Sequence, residues 1–75
     1  MTKEKFIQDL QEEVFMDTEL SEINLDVIYK DLPEWSSLTA LSLIAHFDMN
    51  LGKKISGNQI NDTITIQDLY DIAVK

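Results

Sequence analysis

Cysteine does not occur among the 75 residues. The chain therefore forms no disulfide and carries neither a thiolate metal site nor a cysteine nucleophile. Arginine is missing too, and the six basic side chains, all lysine, face fourteen Asp and Glu for a formal net charge of −8. That balance argues against nucleic acid and anionic membrane as partners, because phosphate contacts are made by Lys and Arg. There is one histidine, His46, so any Ser-His chemistry depends on that residue alone. No apolar run approaches the ~20 residues that a membrane helix requires. The start, Met1-Thr2-Lys3-Glu4-Lys5-Phe6, lacks the apolar stretch of a signal peptide. A cytoplasmic protein without a membrane span is the expectation.

What the chain does contain is 44% hydrophobic residues, enough for a globular fold. At this length a single domain over residues 1–75 with a thin core is expected, since a chain of about 60 residues buries only about 60% of its unfolded surface. The acidic surface suits solubility and also attracts basic protein partners.

Helical periodicity dominates. Thr2 is placed to cap a first helix in which Phe6, Ile7, Leu10, Val14 and Phe15 recur on one side, ending near Met16-Asp17. From Thr18 to Trp35 the pattern loosens. Leu20, Ile23, Leu25, Val27, Ile28, Tyr29 and Leu32 lie among polar residues, which reads as a connection pinned to the core and containing a helical turn. A second helix starts at Ser36 or Ser37. Leu38, Leu41, Ile44, Ala45 and Asp48 trace its stripe, widened by Leu43 and Phe47, and Gly52 ends it. Ser56 to Asn61 forms a short turn of helix. Thr65-Ile66-Gln67-Asp68 is a capping-box-like opening to a last helix through Leu69, Tyr70, Ile72, Ala73 and Val74. No strand alternation extends beyond Ile64-Thr65-Ile66. The expected fold is all-α: a small four-helix bundle of three longer helices and one short one.

One feature points to function. Pro33-Glu34-Trp35-Ser36-Ser37-Leu38 delivers a serine to a helix start, where free N–H groups and the helix dipole favour a phosphate, bound or covalently attached. Serine is also a favoured N-cap, so the pair Ser36-Ser37 alone reads equally well as capping residues.

The surrounding residues resemble a known family. Glu34-Trp35-Ser36-Ser37-Leu38 is similar to the segment around the modified serine of acyl and peptidyl carrier proteins, where Asp-Ser-Leu opens the second helix. Phe47, Leu51-Gly52-Lys53-Lys54-Ile55 and Ile60 resemble the family's approach to its short third helix, and Thr65-Ile66-Gln67-Asp68-Leu69 its entry into the fourth. The likeness covers nearly the whole chain. It implies an acyl-carrier-like bundle and a discrete, non-catalytic carrier, in which a transferase attaches 4′-phosphopantetheine from coenzyme A to Ser37. The arm's thiol then carries an acyl or aminoacyl thioester supplied by an activating ligase and used by downstream acyl-processing enzymes. The carrier itself is expected to be a monomer with no catalytic residue and no metal, and to work by tethering.

Ser37 rather than Ser36 is chosen because Leu38 follows it, as Leu follows the modified serine in the family. Ser36 stands where the family has Asp. On the second helix, positions that are strongly acidic in many fatty-acid carriers hold Thr39, Ser42 and Asp48. Docking is therefore expected to use Ser36, Leu38, Thr39, Leu43 and Trp35, with the Ala40 surface and the acids Asp31 and Glu34, although Leu43 also reads as ordinary core packing because aliphatic residues are so often buried. Such a face suits a specialised fatty-acid-like, polyketide or other pathway. Trp35 also reads as packing at the entry of the helix.

Other readings are weaker. Asp48-Met49-Asn50-Leu51-Gly52 superficially matches a calcium loop, but Lys53 and Gln59 occupy the sixth and twelfth positions that require Gly and a bidentate acid. His46 has no converging partner, since Asp48 two residues on points to another face, and it reads as surface packing. A minimal hydrolase using Ser37 and His46 lacks a pocket-sized scaffold. An unmodified adaptor with the carrier fold, docking a basic partner, is the alternative to the carrier.

Overall fold

Thr2 adopts an extended conformation and its hydroxyl accepts from the Lys5 N–H at 3.1 Å, opening α1 over Lys3–Glu13. The computed structural model describes residues 2–75. Phe6 and Leu10 are buried along α1, and Ile7 is half-buried. The helix ends before the expected Met16-Asp17. Val14 leaves helical angles, and the N–H groups of Val14 and Phe15 both donate to the Leu10 carbonyl, at 2.9 and 2.8 Å. Successive helical residues diverge by about 100°, since a turn takes 3.6 residues. Unwinding here lets Val14 and Phe15 both enter the core.

The stretch from Thr18 to Trp35 holds two short 3-10 turns, Leu20–Glu22 and Tyr29–Asp31. Ile23 and Tyr29 are buried, while Leu25, Val27, Leu32 and Trp35 pack partly against the core. Leu20 and Ile28 stand exposed, so only part of the apolar set pins the segment. Backbone bonds do the rest. Ile66 N–H donates to Val27 O at 3.1 Å and Gln67 N–H to Leu25 O at 2.9 Å, beside an isolated antiparallel bridge between Ile28 and Thr65. The Tyr29 hydroxyl meets Thr63 Oγ1 and the Ile60 carbonyl. Burial raises the Tyr29 pKa, the Thr63 hydrogen bond lowers it, and Asp68 raises it, so the phenol stays protonated.

Helix α2 runs Ser37–Leu51 and stops at Gly52, whose φ of +64° is the left-handed conformation that glycine adopts without strain. Its core-facing residues are Thr39, Leu43, His46 and Phe47. This corrects the expected stripe. Leu38 is 76% exposed, Leu41 62%, and Ala45 is also exposed. Apolar residues occur almost all round α2, so periodicity alone did not select the buried side. Two short helices complete the bundle, α3 over Gly57–Asp62 and α4 over Ile66–Ala73. Each opens with a capping box, Ser56 with Gln59 and Thr65 with Asp68.

The core gathers Phe6 and Leu10 from α1, Phe15, Tyr29, Leu43 and Phe47, with Ile66 and Leu69 from α4. Phe6 is edge-on to both Phe47 and Tyr70, with centroids 6.2 and 5.4 Å apart. The described residues thus form a small all-α bundle of four helices and no strand. None of these helices is long and apolar enough to cross a membrane.

Candidate functional site

The entry to α2 is fixed by side chains within a few residues of one another. Ser36 is fully extended, and its Oγ accepts from the Thr39 N–H at 3.3 Å. Thr39 Oγ1 donates to the Glu34 carbonyl at 2.6 Å. That donation leaves the Ser36 hydroxyl to donate to Thr39 Oγ1, 3.2 Å away. On the other side, both Glu34 carboxylate oxygens accept from the Asp17 N–H, at 3.1 and 3.2 Å, and one accepts from the Thr18 hydroxyl at 2.8 Å. Trp35 sits edge-on to Tyr29 with centroids 5.1 Å apart and lies 6.4 Å from Phe15. The turn between residues 34 and 39 is therefore tied to the segment that follows α1, to the core and to α2.

Ser37 is treated differently. It is the first residue of α2, it is exposed, and its hydroxyl has no hydrogen-bond partner among the described residues. The two adjacent serines divide the work: Ser36 caps and Ser37 is free.

Beside Ser37 lies an open groove of about 320 Å³. Trp35, Ser36, Ser37, Ala40 and Ile44 form one wall, and Gly57, Ile60 and Asn61 of α3 form the other, with Lys30 at the edge. The lining contains no carboxylate. Lys30 Nζ donates to Thr63 O at 2.9 Å and to Asn61 O at 3.4 Å.

The five residues expected to dock a partner separate into two groups. Ser36 and Leu38 are exposed beside Ser37, and Trp35 is half-buried in the groove wall. Thr39 is buried at 7% and committed to Glu34 and Ser36. Leu43 is 0% exposed and belongs to the core, so it is no docking residue. Its place on the surface is taken by Leu41 and by Met49, which is 81% exposed. Together with Leu38 and Ala45 they form a stripe along the outer side of α2. Their spacing was visible in the sequence, but which apolar side faces outward depends on where α1 packs.

His46 is not on the surface. It is 4% exposed, with Nδ1 2.9 Å from the Asn50 amide nitrogen and Nε2 buried without a partner. With Asn50 donating, Nδ1 is the acceptor and the ring proton resides on Nε2. Burial lowers the His46 pKa, against the opposing pull of Asp9 and Glu13. The ring is nine residues beyond Ser37, about 13 Å along α2 at 1.5 Å per residue. That separation removes a Ser37–His46 pair. Among the described residues no group of three or more His, Asp or Glu is placed to hold a metal ion.

No family model, no curated protein and no solved structure matches this chain.

Proposed function

We propose that this protein is a discrete carrier of the acyl or peptidyl carrier type, bearing 4′-phosphopantetheine on Ser37. The observation that carries the reading is the division between the serines. A transferase needs a hydroxyl that is exposed and unengaged, and Ser37 offers one at a helix start whose geometry Ser36, Thr39 and Glu34 maintain without it. The residues present fit the group. An anionic phosphodiester is favoured at the N-terminus of a 15-residue helix, and the adjoining groove has no carboxylate to repel it. When attached, the arm supplies a thiol on which an activating ligase places an acyl or aminoacyl group. The chain's own part is to fix the attachment point and present the cargo to downstream enzymes, in the cytoplasm and without chemistry of its own.

Docking in this reading uses Ser36, Leu38 and the stripe that continues through Leu41, Ala45 and Met49. Helix α2 contains no lysine, and the whole chain is acidic, so a partner with an apolar patch bordered by basic groups is the complement. The same stripe supports a second reading, an unmodified adaptor that docks a basic partner.

Intact mass after incubation with coenzyme A, magnesium and a broad-specificity phosphopantetheinyl transferase tests the proposal. One phosphopantetheinyl group should add to the wild-type chain and to Ser36→Ala, and none to Ser37→Ala. No addition with several transferases overturns the carrier reading in favour of the adaptor.

A further inference from the structure

The groove beside Ser37 has a charge opposite to that of the molecule around it. Fourteen acidic residues give the chain its net −8, yet none of them lines this groove, and Lys30 does. Lys30 is also held in place. Its ammonium donates to the Thr63 and Asn61 carbonyls and lies 5.7 Å from the Tyr29 ring centroid. An ammonium has three N–H donors, so two are satisfied by carbonyls and one remains. No carboxylate neutralises it: among the described residues the ion pair within 4 Å is Lys5 with Asp9, on α1. A positioned cation with a spare donor, in a groove that begins at an unengaged serine, is complementary to an anion held on that serine.

We propose that Lys30 receives an anionic oxygen of the group borne on Ser37, either from the phosphodiester of the arm or from a carboxylate on its cargo. The inference rests on the carrier reading. The apolar wall of Trp35, Ala40, Ile44 and Ile60 accommodates the aliphatic part of that group. At about 320 Å³ the groove is at the lower end of ligand sites, so the cargo it matches is short.

The test uses the full chain with ¹³C-labelled lysine, in its unmodified, phosphopantetheinyl, butyryl-thioester and succinyl-thioester forms, each verified by intact mass. The Lys30 side-chain resonance, assigned through Lys30→Arg, is followed across the four. A shift already present with the unloaded arm assigns the contact to the phosphodiester. A shift seen with succinyl and not with butyryl assigns it to the cargo carboxylate. Thermal melts give a second reading: any gain in Tm on forming the shifted species should vanish in Lys30→Met and return in Lys30→Arg, whereas a purely structural lysine would lower all forms alike. If Lys30→Met does not fold, the resonances of the wild-type chain still decide. Correct mass with an unmoved Lys30 signal in every form overturns the inference and leaves the carrier reading intact. Failure to gain mass overturns both.

Discussion

Ser36 and Ser37 are chemically identical neighbours, and the backbone gives them opposite roles. Ser36 spends its hydroxyl on the Thr39 N–H and side chain, whereas that of Ser37 faces solvent unpaired. Replacing an N-cap serine by alanine costs about 0.5–2 kcal/mol, while exposed substitutions away from such features stay within about 0.5. Urea denaturation should therefore show Ser36→Ala clearly destabilised and Ser37→Ala nearly unchanged, the reverse of their order in the labelling experiment. Equal destabilisation would mean that both serines cap. The sequence pattern singled out this candidate position because serine, the following leucine and the start of helical periodicity are all local features. The bracing by Glu34 was not legible, because its partners Asp17 and Thr18 are brought to it only by the folded connection.

At the scale of elements, α2 has two apolar sides with different fates. Its inner side carries Leu43 and Phe47, both 0% exposed, and its outer side carries Leu38, Leu41 and Met49. Leu43→Asp places a charge in the core, and removing even the aliphatic side chain of such a residue costs about 2–5 kcal/mol. Circular dichroism should find that variant largely unfolded. Leu41→Asp should retain the wild-type melt and, on the proposed carrier reading, lose affinity for a docked enzyme. A folded Leu43→Asp variant would contradict the burial described here. The helices themselves were legible: Thr2, Gly52, Ser56 and Thr65 end or open elements where capping chemistry requires. The orientation of α2 was not, because a helix apolar on most sides leaves the choice of inner side to its neighbours.

For the molecule as a whole, His46 ties stability to pH. Its proton affinity is lowered on folding, chiefly because burial removes the charged ring from water, while Asp9 and Glu13 partly offset this. The unfolded chain therefore binds more protons as pH falls through the ordinary histidine range near 6.5. Stability that is fully present above that value declines as the pH drops below it, towards the lower pKa of the folded state. Urea midpoints should fall from pH 7.5 to pH 5.5 in the wild-type chain and fall less in His46→Gln. An equal fall in both would assign the effect to other groups.

The start of α4 extends this coupling in another direction. First-turn amides of a helix have no partner within it and are ordinarily the earliest to exchange with solvent. In α4, however, those of Ile66 and Gln67 bond to Val27 and Leu25, and that of Asp68 to Thr65 Oγ1. The last helix thus has its beginning stitched to a segment far earlier in the chain. Fraying at that end must undo the join between the two halves, so protease cleavage in the connection would loosen a helix that the protease never touches.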